Sequence, residues 1–290
     1  MSLSVQVGLL LAVATALTSV VGFLYKHRGA VTAPPVQWRR PVRSSLVLLR
    51  SPWYALGILI ATASWGLHVG ALSLAPISLV QSVIAGGLVL LTVIADRLFA
   101  HSVTRREWIG VALAAAGLAF LAATIGPTGD GAHGDYEASR LIPYVSLAAL
   151  GGLGLVAAAR PGHREGVMLG AAAGLLWAAS DTSIKALSGS LGDGVTTVLL
   201  SPLAAVVAAA SFVGLLVSAR SLQVGRAVPV IAVTSVAANV LTIAAGPVVF
   251  EEPLPNDALG LVARLTAFAL VIVAAALTPA PVRAVEPDSA

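Results

Sequence analysis

From Ser51 to Ala95 the chain carries no Asp, Glu, Lys or Arg. About 20 apolar residues at 1.5 Å rise cross a ~30 Å hydrocarbon core, so this stretch is too long for one crossing and suited to two. The Leu74-Ala75-Pro76 step divides it, because a proline starts a helix better than it continues one. A soluble domain needs roughly a quarter of its residues charged. Here 10% are charged, 58% are hydrophobic and the mean hydropathy is +0.93, so the composition suits a lipid bilayer.

The same reasoning along the chain predicts an all-α, polytopic membrane protein of about nine transmembrane helices. The spans expected are 3–25, 52–73, 76–96, 108–126, 141–159, 166–187, 195–218, 228–250 and 258–278. Between the first two lies a loop, 26–50, with Lys26, Arg28, Arg39, Arg40, Arg43 and Arg50, broken by Pro34, Pro35 and Pro41. A cleaved signal peptide would carry its positive charge before the apolar core, and here the charge follows it. The tail 279–290 holds three prolines among mixed charges, a composition that favours disorder.

The net charge of +4 and pI near 10 do not describe a nucleic-acid face, because the basic residues sit in short clusters between apolar runs. Placed by the positive-inside rule, loop 26–50 and the turns after spans 3, 5 and 7 are cytoplasmic. Those turns hold Arg97, Arg105, Arg106, Arg160, Arg164, Arg220 and Arg226. The opposite turns contain one basic residue, Arg140, in a glycine-rich loop with Asp130, Asp135 and Glu137. The expected topology for this cytoplasmic-membrane protein is N-terminus outside and C-terminus cytoplasmic.

One stretch occurs twice. Pro76 leads an apolar run with Gln81-Ser82 behind it, closing at Asp96-Arg97; Pro229 leads another with Thr234-Ser235, closing at Glu251-Glu252. Each is followed by a run opening near a glycine, Gly110 or Gly260. With the topology above, the copies enter the membrane from opposite sides. The expected organisation is therefore an inverted repeat: residues 1–126 (helices 1–4), an outer loop and linker helix over 127–164, and residues 165–278 (helices 6–9). Such repeats underlie alternating access in secondary transporters.

Leu72-Ser73-Leu74-Ala75-Pro76-Ile77-Ser78-Leu79-Val80, followed by Asp96-Arg97-Leu98 and Trp108-Ile109-Gly110, resembles the drug/metabolite transporter (DMT) superfamily, EamA-like group. The second half is similar to it in Trp177, Lys185, Val228-Pro229-Val230 and Phe250-Glu251-Glu252-Pro253-Leu254. Nine helices, the basic loop after the first and the run from Val228 to Glu251 look closer to the NIPA-like magnesium transporter branch. The resemblance implies transport of a small solute or ion.

Ionisable groups inside spans cost about 2.5–3.5 kcal/mol near a helix centre and so mark pairs or sites. Asp181 has Trp177 one turn before it and Lys185 one turn after, which reads either as a cavity carboxylate or as a neutralised pair with Lys185 snorkelling outward. Arg264 sits at similar depth in span 9 and could meet Asp181 across a cavity, or pair with Glu251 or Glu252 in the adjacent turn. His68 lies deep in span 2 and either titrates or bonds quietly to a neighbour. Gln81, Ser82, Thr234, Ser235 and Asn239 supply uncharged polar groups at matching places, suited to a midplane site or to helix contacts. The expected substrate-binding set is thus Asp181, Arg264, Trp177, Gln81, Ser82, Thr234, Ser235, Asn239 and His68.

With acidic ends at Asp96, Glu251 and Glu252 placed at the surfaces, one carboxylate in the spans favours a small organic solute. A magnesium or other divalent cation is the alternative, since Mg²⁺ favours oxygen ligands. An intramembrane enzyme would need a nucleophile–base or metal motif, and neither a His-Glu-x-x-His nor a Gly-x-Ser-x-Gly pattern occurs. No cofactor or nucleic-acid partner is expected, and a homodimer is compatible with the sequence.

Overall fold

The structure is a computed structural model that describes residues 2–34, 37, 41–86, 105, 109–110, 112–113, 116–117, 135–162, 164–190, 192, 194–225 and 227–277. Asp96, Arg97, His101, most of span 4, Arg226 and the tail 279–290 lie outside the described residues. Every regular element among those described is a helix. In chain order they are α1 (Leu3–Thr32), α2 (Pro41–Leu49), α3 (Pro52–Leu74), α4 (Ile77–Gly86), α5 (Ala138–Ala158), α6 (Glu165–Ser188), α7 (Val195–Leu200), α8 (Pro202–Val224), α9 (Ala227–Val249) and α10 (Ala258–Leu277).

Four of these, α3, α5, α6 and α8, are long and apolar enough to cross a membrane, and shorter apolar helical stretches at 3–19, 77–86, 233–249 and 258–274 accompany them. Large aliphatic side chains point outward: Leu147 is 73% exposed and Leu259 81%. Surface of that kind is solvated by lipid tails rather than water.

Three boundaries differ from expectation. The loop expected over 26–50 contains a helix, α2, which Pro41 opens rather than breaks. α1 runs past the end of its apolar stretch to Thr32, with Tyr25 stacked on Trp53 at 5.6 Å and the Arg28 guanidinium 4.0 Å over the same ring. Those contacts hold the basic turn against α3 and let the helix continue. The single span expected over 195–218 is two helices. Pro202 opens α8, Ser201 caps it by accepting from the Leu203 N–H, and α8 continues to Val224.

α6 is the centre of the molecule. It packs against α5, α8 and α9, and 67% of its apolar stretch is buried, against 22–33% for the other three long helices. α1 packs along α3, and α6 along α8, as two antiparallel hairpins. Both hairpins close alike. α3 ends on Ala75 and α8 on Gly225, each extended, each donating its N–H four residues back, to Ala71 and Ser221. In each case a glycine of the partner helix, Gly8 or Gly166, lies so close that a Cβ there would collide with the cap residue.

The halves are tied at both ends. At one, the Gln223 side-chain amide donates to the carbonyls of Ala30 at 3.2 Å and Pro34 at 3.3 Å. At the other, the Lys185 ammonium donates to the carbonyls of Leu72 at 2.7 Å and Ala75 at 2.9 Å.

Candidate functional site

A polar hub forms where α3, α4 and α6 meet. The Pro76 break ends α3 and starts α4, which brings His68 of α3 and Gln81 of α4 to the same carboxylate, Asp181 of α6. His68 Nε2 lies 3.3 Å from Asp181 Oδ1, and the Gln81 amide donates to Oδ2 at 3.1 Å. His68 is buried and Asp181 is half-buried, with 20% of its side chain open. Both ring nitrogens of His68 are buried with no hydrogen-bond partner among the described residues, as is the hydroxyl of Thr182, next to Asp181.

A second cluster lies one turn along α6. Lys185 is wholly buried and does not snorkel. Its charge faces Glu252, as does that of Arg264, which is also buried. Glu252 corrects the sequence reading most sharply. Expected at the surface, it is 7% exposed, because the chain folds back after α9. Glu251 takes a left-handed conformation, φ 50°, and the Glu252 N–H donates to the Gly246 carbonyl at 3.1 Å, turning the next side chain inward. There the carboxylate accepts from the Ser78 hydroxyl and from the Ser78 N–H at 3.3 Å, at the N-terminal turn of α4. Burial pushes the Glu252 carboxyl above the ordinary carboxylate range, against the lowering pull of the Ser78 bonds and of Lys185.

Asp181 has His68 and Gln81 beside it, while the charge of Arg264 faces Glu252. Trp177 packs on α8 beside Gly214 rather than on the hub. Ser82 is buried and donates to the Ser78 carbonyl at 2.7 Å within its own helix. Thr234 contacts the carbonyls of Gly170 at 2.9 Å and Val230 at 2.8 Å, joining α9 to α6. Ser235 is half-buried and Asn239 buried on the same helix. The two polar pairs thus sit in unlike surroundings: Gln81 in the hub, Thr234 in a helix contact. Ser78 and Glu252 are the residues sequence reasoning missed. The signal was Lys185, since an ammonium deep in a span calls for a carboxylate within reach.

These features define an integral membrane protein with several helices long and apolar enough to cross the bilayer. Over 279 residues, covering 89% of this chain and 77% of the relative, it is 26% identical to the probable magnesium transporter NIPA9 of Arabidopsis thaliana. The chain is a distant relative of that protein, in agreement with the DMT and NIPA-like resemblance of its motifs. No family model matches the chain, and no solved structure matches it.

Proposed function

We propose that the protein is a secondary transporter that moves a divalent cation across the membrane by alternating access, with Asp181 as the anchor for the cargo. The observation that carries the reading is the hub itself: a part-open carboxylate, faced by His68 and Gln81, on the most buried of the four long apolar helices among the described residues. Lys185, the one basic group on the same face of α6, is engaged with Leu72, Ala75 and Glu252. That leaves the charge of Asp181 available to a cation. The relative's name points the same way.

Alternating access is supported by the two alike hairpin closures and by ties at opposite ends, one to be released for each side to open. The inverted repeat over 1–126 and 165–278, with the N-terminus outside, is the arrangement we assign. A small organic solute is the second reading. Among the described residues no three His, Cys, Asp or Glu side chains converge, and Asp181 is the sole carboxylate of the hub.

Purified protein in vesicles loaded with a divalent-sensitive dye decides between them. Wild type is expected to admit Mg²⁺, Mn²⁺ or Co²⁺, and Asp181→Asn to slow entry at least ten-fold. Vesicles that admit no divalent ion but accumulate a compound from a metabolite panel would reverse the assignment.

A further inference from the structure

The hub contains a nitrogen that a purely magnesium site has little use for. His68 is buried on α3, its Nε2 lies 3.3 Å from Asp181 Oδ1, and neither ring nitrogen makes a hydrogen bond among the described residues. A buried imidazole left in that condition is unusual, because buried polar groups are nearly always bonded. An imidazole beside a carboxylate and an amide is a donor set that a metal ion can share.

The spacing fits a shared ion. Two cis ligands of an octahedral dication at about 2.1 Å lie about 3 Å apart. His68 Nε2 lies 3.3 Å from Asp181 Oδ1 and the Gln81 amide nitrogen 3.1 Å from Oδ2, so an ion shared by all three would engage both carboxylate oxygens. Rotation of the Gln81 amide would turn its oxygen, rather than its nitrogen, to the same point. One carboxylate, one amide oxygen and one imidazole nitrogen make a mixed set. Imidazole suits first-row transition metals, whereas Mg²⁺ takes oxygen and holds its waters.

We infer that His68 joins Asp181 and Gln81 as a metal ligand, so that the hub takes a first-row transition-metal dication in preference to Mg²⁺. This rests on the divalent-cation reading and narrows its cargo. Neither ligand charge nor ion size produces the preference, since Co²⁺ and Mg²⁺ share charge and are close in radius. The nitrogen does.

The test is equilibrium binding of Co²⁺ and Mg²⁺ to the full chain purified in detergent, with the Mn²⁺-loaded protein examined by electron spin echo for coupling to an imidazole nitrogen. Wild type is expected to bind Co²⁺ at least ten-fold more tightly than Mg²⁺ and to show that coupling. His68→Gln, which offers an amide in place of the ring, is expected to remove the coupling and bring Co²⁺ affinity to within about three-fold of Mg²⁺, with Co²⁺ affinity falling several-fold more than Mg²⁺ affinity. Equal affinities in wild type, or no nitrogen coupling, overturn the inference and leave the cation reading standing. Failure of wild type to bind either ion overturns both. The spin-echo measurement needs no variant, so it decides even if His68→Gln folds poorly.

Discussion

Glu252 accepts hydrogen bonds from both the N–H and the hydroxyl of Ser78, 174 residues earlier in the chain. The same carboxylate faces Lys185, whose ammonium holds the last carbonyls of α3. Removing one member of a buried ion pair leaves the other uncompensated and costs roughly 3–5 kcal/mol. Glu252→Gln and Lys185→Met are each expected to lower the melting temperature in detergent markedly. The double variant should recover part of the loss, because Lys185 no longer lacks its carboxylate, while Arg264, which also faces Glu252, keeps the recovery incomplete. Additive losses would show that the two do not act as a pair.

The neighbouring carboxylate should behave oppositely. Glu251 is exposed and pairs with Arg140 at 2.9 Å, an arrangement worth about 0–1 kcal/mol and screened by salt. It also holds φ 50°, a left-handed conformation that costs a side chain about 1–2 kcal/mol and costs glycine little. Glu251→Gly is therefore expected to leave the melting temperature unchanged or to raise it slightly, most clearly at high salt. A large fall would mean that the Arg140 contact outweighs the backbone.

What the sequence disclosed and what it hid follow from how far each signal reaches. The long spans, and the breaks at Pro34 and Pro76, were legible because hydrophobic length and missing N–H groups are local, whereas the helix that Pro41 opens was not read from the sequence. The end of α1 was not, since Arg28 and Tyr25 are held by Trp53 from a different helix. Asp181 and His68 stood out as polar groups in apolar runs, but their meeting depends on how α3 packs on α6. Glu252 was hidden twice over. It adjoins a proline in a polar turn, which reads as surface, and a left-handed residue before it turns the side chain inward.

Close approach of α6 to α9 makes a further prediction. A Cβ on Gly174 would lie 2.5 Å from the Thr234 carbonyl oxygen and 2.8 Å from the Ala237 Cβ, with backbone on one side that cannot yield. Gly174→Ala is expected to push the helices apart at a cost of about 1–3 kcal/mol, read as lower thermal stability and lower yield of folded protein. Gly154→Ala on α5, where a Cβ meets open space, serves as control and should stabilise or leave unchanged. Equal melting of the two variants would contradict the packing of α6 on α9.

The two ties between halves predict opposite responses. Gln223 joins α8 to the end of α1, at the end of the molecule assigned to the cytoplasm, whereas Ser78 and Lys185 close the other end. A hydrogen bond contributes about 1 kcal/mol, enough to shift a two-state population about five-fold. The chain has no cysteine, so Thr182→Cys, buried beside Asp181, introduces a unique thiol at the hub. Adding Gln223→Leu should speed its reaction with a membrane-impermeant maleimide applied from the cytoplasmic side. Adding Ser78→Ala should speed the reaction from the outer side instead, by weakening the hold on Glu252. Each rate is expected to rise several-fold on its own side and to stay level or fall on the other. Acceleration from both faces by either variant would mark these contacts as general packing, and acceleration on exchanged sides would invert the membrane orientation assigned to the chain.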